Sequence, residues 1–191
     1  MSKKLEGAGL RGQVAGQTSL STVGKEGHGL TYRGYAIEDL ADNAKFEEVA
    51  FLLLYGHLPN KSELSEYQQK LISNRKLPEE LKKTLELIPA SAHPMDVMRT
   101  GCSVLGNLEP EGDFSNQNNT ADRILAILPS VICYWYRFSH DGISIDTQTN
   151  HESIGGQFLA LLTGKEPSED HIRCLDVSLI LYAAVSYTHL R

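Results

Sequence analysis

The chain has 191 residues, 41% hydrophobic and 22% charged, the balance of a globular domain long enough for a sizeable core. Its 18 basic and 24 acidic residues give a net charge of −6, and no basic stripe appears, which argues against a nucleic-acid partner. The longest apolar run, Val49 to Tyr55, is too short to span a bilayer, and the N-terminus lacks the apolar segment of a secretory signal, so the expected setting is the cytoplasm.

Residues 1–16 are polar and glycine-rich and read as an arm. The run Thr18 to Val23 alternates and is rich in β-formers; a glycine-rich turn, Gly24 to Gly29, follows, and then Leu30 to Arg33. Two such runs around a turn predict a β-hairpin, too small to stand without a packing partner. From Ile37 onward the pattern is helical. Phe46, Val49, Ala50 and Leu53 recur at helical spacing until Gly56 and Pro59. Asn60 followed by Glu63 predicts a capping box, and Pro78 and Pro94 each mark a helix start. Asn119 or Thr120 is expected to cap a long buried helix that Pro129 kinks. After a polar loop, Gly142 to Thr149, a short helix ends at Gly164. Ser168 caps the last helix, whose apolar face is read as Ile172, Leu175, Leu179 and Tyr182. The class is mainly α with one β-hairpin.

Chemistry is sparse in the pattern. The seven histidines include no i, i+4 pair of the zinc-protease kind, and no metal site is expected. They read as capping, loop or surface residues. Cys102, Cys133 and Cys174 are expected to be small buried hydrophobes. Glu47-Glu48 and Glu79-Glu80 are assigned to exposed faces or first turns, where the helix dipole accounts for them. Trp135-Tyr136 reads as core and subunit-interface packing rather than a stacking platform.

The strings TVGKEGHGLTYRGYAIEDLA (from Thr22), FEEVAFLLLYGHLP (from Phe46), SAHPMDVMRTGCSVLG (from Ser91) and VSLILYA (from Val177) together resemble the N-terminal part of the citrate synthase family. NHESIGGQFLALLTGKEPS, from Asn150, is more similar to the bacterial 2-methylcitrate synthase branch. The resemblance implies a multi-helical large domain with a small N-terminal hairpin, covering residues 17–184. It implies a cytoplasmic homodimer that condenses oxaloacetate with an acyl-CoA, propionyl-CoA in the methylcitrate branch, and needs no metal or redox cofactor. The reaction requires a carboxylate to take the α-proton and histidines to stabilise the enolate and polarise the ketone.

The family's catalytic histidines and aspartate follow the LYA string, and no catalytic residue is expected within this chain. Tyr182, in LYA, matches a position beside the substrate, and is the one substrate-binding candidate; packing into the core is its structural alternative. Gly27-His28 echoes a family Gly-His pair but falls in the hairpin turn and is rejected. The chain is therefore read as a truncated, inactive piece. Val185 to Leu190 is what GTC TCT TAT ACA CAT CT encodes, a string similar to a transposase sequencing adapter, so residues 185–191 are expected to be a non-native tail. By the same reading, helix faces such as Leu125, Leu128 and Ile132 lack partners. Two alternatives stand beside it, a piece of an ordinary citrate synthase using acetyl-CoA and a non-catalytic helical dimerisation module.

Overall fold

The computed structural model describes residues 18–22 and 29–184. The expected arm, the hairpin turn with His28, and the 185–191 tail lie outside the described residues.

Strands β1 (Ser21–Thr22), β2 (Thr31–Tyr32) and β3 (Tyr35–Ala36) form an antiparallel sheet in the order β1-β2-β3. The expected hairpin is present, with Ser21 opposite Tyr32, and a third strand extends it, with Tyr32 opposite Tyr35. The added turn is Arg33-Gly34, with φ of 46° and 92°. Positive φ at both central residues is the geometry that matches strand twist in two-residue hairpins. Arg33 reaches from this turn to the Leu53 carbonyl at 3.0 Å, which fastens the sheet to the next layer.

Among the described residues eight α-helices follow: α1 (Ile37–Asn43), α2 (Phe46–Tyr55), α3 (Lys61–Ser73), α4 (Glu79–Glu86), α5 (Pro94–Leu108), α6 (Gln117–Asp141), α7 (Ile154–Thr163) and α8 (Glu169–Tyr182). The capping box at α3 is complete: Asn60 Oδ1 accepts from Glu63 N, and Glu63 accepts from Asn60 N at 2.8 Å. Pro94 occupies the first turn of α5, with the His93 ring accepting from Met95 N. α6 departs from expectation. It begins at Gln117, continuous with a 3-10 turn at Phe114–Asn116 that Asp113 caps, so neither Asn119 nor Thr120 is its cap. The helix continues on both sides of Pro129.

α6 lines both hydrophobic clusters. Ala126 belongs to the first, which gathers Tyr32, Ile37, Leu40, Phe46, Val49, Leu52, Leu71, Ile154 and Ile180 from the sheet, α1, α2, α3, α7 and α8. Ile127, Val131, Tyr134 and Trp135 face the second, with Leu77, Leu81, Leu85, Val97 and Leu105. Trp135 is buried as expected and donates its indole N–H to the Ile88 carbonyl, while Tyr136 is partly exposed and stacks on His140. Leu125 and Ile132 pack against the two clusters, contrary to the expectation that they lack partners.

Two expectations about polar residues fail. Cys133 is buried, but Cys102 is only half-buried and Cys174 is exposed. Glu47 stands in the first turn of α2 as expected, but it is fully buried there rather than solvated. α2 explains the second failure: Phe46, Val49, Ala50, Phe51 and Leu52 are all buried, so the helix is enclosed on nearly every side and its first-turn acid is enclosed with it.

Candidate functional site

α8 carries Tyr182, and every layer of the first cluster contributes to seating that helix. At its start Ser168 Oγ accepts from His171 N. One turn on, Arg173 reaches across to the end of α1 and donates to the carbonyls of Ala44 (2.8 Å), Asp42 (3.0 Å) and Ala41. These are the carbonyls a helix terminus leaves without intrahelical partners, so one guanidinium caps α1 and docks α8 onto it.

The centre of α8 is held by a buried carboxyl. Asp176 is 5% exposed, and its Oδ1 lies 2.9 Å from where a Cβ on Gly155 would stand. Only glycine permits that approach between α8 and the start of α7. Glu47, from α2, meets the same helix end: its Oε1 accepts from Ile154 N at 2.7 Å. Ser153 Oγ takes Gly156 N at 2.8 Å. The Glu47 carboxyl is thus aimed at the positive end of α7, with the Asp176 carboxyl standing against Gly155 in its first turn. Burial pushes the Glu47 carboxyl up to about 7, opposed by the Ile154 N–H and reinforced by Asp176. Burial also raises Asp176, with the Phe46 N–H drawing it back. Behind them Arg75 is fully buried, donating to the carbonyls of His151 (2.5 Å), Thr149 (3.2 Å) and Ser153 (3.5 Å). Desolvation lowers it to about 10, and Glu47 supports its charge.

At the far end of α8, the Tyr32 hydroxyl lies 3.1 Å from the Ile180 carbonyl and 3.2 Å from that of Leu181, and accepts from Ala184 N at 3.3 Å. A fully buried strand tyrosine therefore serves as the C-terminal cap of α8. Desolvation raises its phenol, so it remains a neutral donor at physiological pH.

Beyond this cap stands Tyr182, 77% exposed, next to the partly exposed Leu181. Among the described residues Tyr182 has no core packing: Asp176 and Ile180 are the deeply buried positions of α8, and Tyr182 points away from them. An exposed phenol on a fixed helix end offers a flat apolar ring and a hydroxyl that can donate or accept, which suits binding and orienting a ligand. No described histidine hydrogen-bonds to it. His57 sits by Glu63, His93 caps α5, His140 stacks on Tyr136, His151 faces Glu166 and His171 is in the first turn of α8. The structure thus does not bring the described histidines together. Among the described residues, no group of three or more His, Cys, Asp or Glu could hold a metal, and no helix is long and apolar enough to cross a membrane.

A third buried acid joins three helices. Asp122 of α6 accepts from Tyr55 at 2.5 Å, Tyr67 at 3.1 Å and Lys70 at 2.5 Å. Each carboxylate oxygen is used.

The architecture and the sequence agree with known proteins. The family model "Citrate synthase, C-terminal domain" matches residues 9–184. The chain is 65% identical over 181 residues to a 2-methylcitrate synthase of Shewanella oneidensis, covering 95% of this chain and 48% of that protein. It is 36% identical to a citrate synthase of Acidithiobacillus ferridurans, over 92% of this chain and 47% of that protein. The citrate synthase of Thermotoga maritima superimposes with a TM-score of 0.77 at 30% identity, over 91% of this chain and 45% of that one. That of Thermoplasma acidophilum, a ternary complex with carboxymethyl coenzyme A and oxaloacetate, gives 0.83 at 22% identity over 91% and 46%, a likeness of fold. The chain spans about half the length of the curated relatives it matches. A helical fold with a three-stranded N-terminal sheet, matched by the family model over nearly all its length, places this chain in the citrate synthase family.

Proposed function

We propose that this chain is the helical scaffold segment of a 2-methylcitrate synthase, contributing Tyr182 to the substrate site and no catalytic acid or base. The whole enzyme joins propionyl-CoA to oxaloacetate. A carboxylate takes an α-proton of the thioester, the resulting enolate carbon bonds to the ketone carbon, and water then cleaves the thioester to release coenzyme A. Enolate formation needs acid and base groups aligned on the donor. The residues that supply them belong to the remaining half of the enzyme. It works as a cytoplasmic homodimer without metal or redox cofactor.

The observation that carries the subtype is the 65% identity to the Shewanella 2-methylcitrate synthase. Ordinary citrate synthase is the second reading. It is favoured by the identity of 36% to the Acidithiobacillus citrate synthase, no lower than the 36% to a Corynebacterium glutamicum 2-methylcitrate synthase.

The test joins this chain to the remaining length of the Shewanella enzyme and compares the two donors. The donors differ by one methylene, which a pocket distinguishes by about tenfold or more in kcat/KM. Propionyl-CoA is expected to win by that factor, and a preference for acetyl-CoA rejects the subtype. In the same enzyme, Tyr182→Phe is expected to raise the oxaloacetate KM about 3- to 10-fold, the worth of one hydrogen bond. An unchanged KM removes Tyr182 from the site.

A further inference from the structure

The strongest departure from ordinary burial lies where α2, α7 and α8 meet. Glu47 is fully buried and Asp176 nearly so, and each keeps one carboxyl oxygen, Oε2 and Oδ1 respectively, without a hydrogen-bond partner. A buried carboxylate with an empty oxygen is costly, and two facing one helix end repel each other. A proton held by one of them removes a charge and supplies the O–H donor that the arrangement lacks.

We propose that Glu47 and Asp176 form a buried proton-binding pair that locks α8 and α7 onto α2, so that the seating of α8, with Tyr182 at its end, loosens when that proton leaves. The proposal rests on the burial and the empty oxygens of this junction, with the raised Glu47 carboxyl beside them, and is independent of whether Tyr182 meets a substrate.

The charged and ionisable groups around the pair are few. Lys45 precedes α2 and draws on both carboxyls. Arg75, after α3, is the buried cation beside Glu47, and Tyr67 of α3 senses the Glu47 charge. On α8, Arg173 acts on Asp176 but spends its N–H groups on the α1 carbonyls. His151, in the loop before α7, has its Nδ1 3.3 Å from the Cβ position of Gly156 and its Nε2 3.4 Å from Glu166. Arg75 and Lys45 are outside hydrogen-bonding distance of the two empty oxygens, so neither cation saturates them.

The sign of the effect follows from the direction of the shift. Glu47 is raised from 4.5 to about 7, so between those values the folded chain holds a proton that the unfolded chain has released. Stability is therefore fully present below the unfolded value and falls as pH rises toward 7 and through it.

The experiment is thermal unfolding of the chain at pH 5.5, 6.5, 7.5 and 8.5, followed by circular dichroism, for the wild type, Glu47→Gln, Asp176→Asn and the control His151→Gln. The amide introduced by Glu47→Gln keeps an acceptor for Ile154 N and cannot ionise. The wild-type midpoint is expected to fall by about 5 °C or more across this range. Glu47→Gln abolishes most of that fall, Asp176→Asn reduces it, and His151→Gln preserves it. Hydrogen exchange of the Ile154 amide, corrected for its intrinsic pH dependence, provides a site-specific readout with the same expected order. The proposal is overturned if Glu47→Gln retains the wild-type slope, if His151→Gln abolishes it, or if Ile154 shows no protection in the wild type at pH 5.5.

Discussion

At the residue scale, three buried acids behave in three ways. Asp122 is saturated by two phenols and an ammonium, Glu47 has one backbone donor, and Asp176 keeps an empty oxygen. Removing Asp122 strips partners from the deeply buried Tyr67, so Asp122→Ala is expected to cost about 2–4 kcal/mol, read as a fall in the urea midpoint. Lys70→Met removes the same ion pair from its partly exposed side and is expected to cost about 1 kcal/mol or less. Equal losses for the two variants would show that the ion pair, rather than the phenol hydrogen bonds, dominates the cluster. None of this was legible in the sequence, because tyrosine, lysine and aspartate separated by up to 67 residues carry no periodic signal. Glu47 did carry one. It is the second residue of the run FEEVAFLLLY, apolar on almost every face, and a first-turn acid on such a helix is enclosed with it.

At the element scale, local chemistry announced itself clearly. The Asn60–Glu63 box, Pro94, Ser168 and the left-handed glycines Gly56, Gly142 and Gly164 punctuate the helices where the sequence placed them. The third strand was not legible because two residues give no alternation, and Arg33 is an unusual occupant of positive φ. The face of α8 was misread for a related reason. Its buried positions are Asp176 and Ile180, one turn apart, and the aspartate hid that row from an apolar count that selected the exposed Tyr182 instead. Between α5 and α6 the controlling feature is Gly101, where an added Cβ would lie 2.6 Å from Val131 Cγ1. Valine is stiff at χ1 and cannot swing aside, so overpacking outweighs the helix propensity that alanine adds. Gly101→Ala is expected to cost about 1–3 kcal/mol, and adding Val131→Ala should recover part of it in a double-mutant cycle. A stabilising Gly101→Ala, or strict additivity, would contradict this packing.

At the scale of the whole molecule, one long helix ties the described residues together. Two hydrophobic clusters share α6, the first of them encloses α2, and α8 is tied to it by Arg173, Asp176 and Tyr32 before reaching the exposed Tyr182. Composition and periodicity conveyed the helical class, while the family was legible only from long strings in fixed order. The described histidines stand at separate helix ends, which fits a scaffold completed by other residues. The most direct test is complementation. Coenzyme A release from propionyl-CoA and oxaloacetate is measured for this chain alone, for the remaining half of the Shewanella enzyme alone, and for the two joined. The account predicts no turnover from either part and turnover from the joined protein, which sediments as a dimer. Turnover by this chain alone, or a folded joined protein that is inactive beside an active Shewanella enzyme, would contradict it.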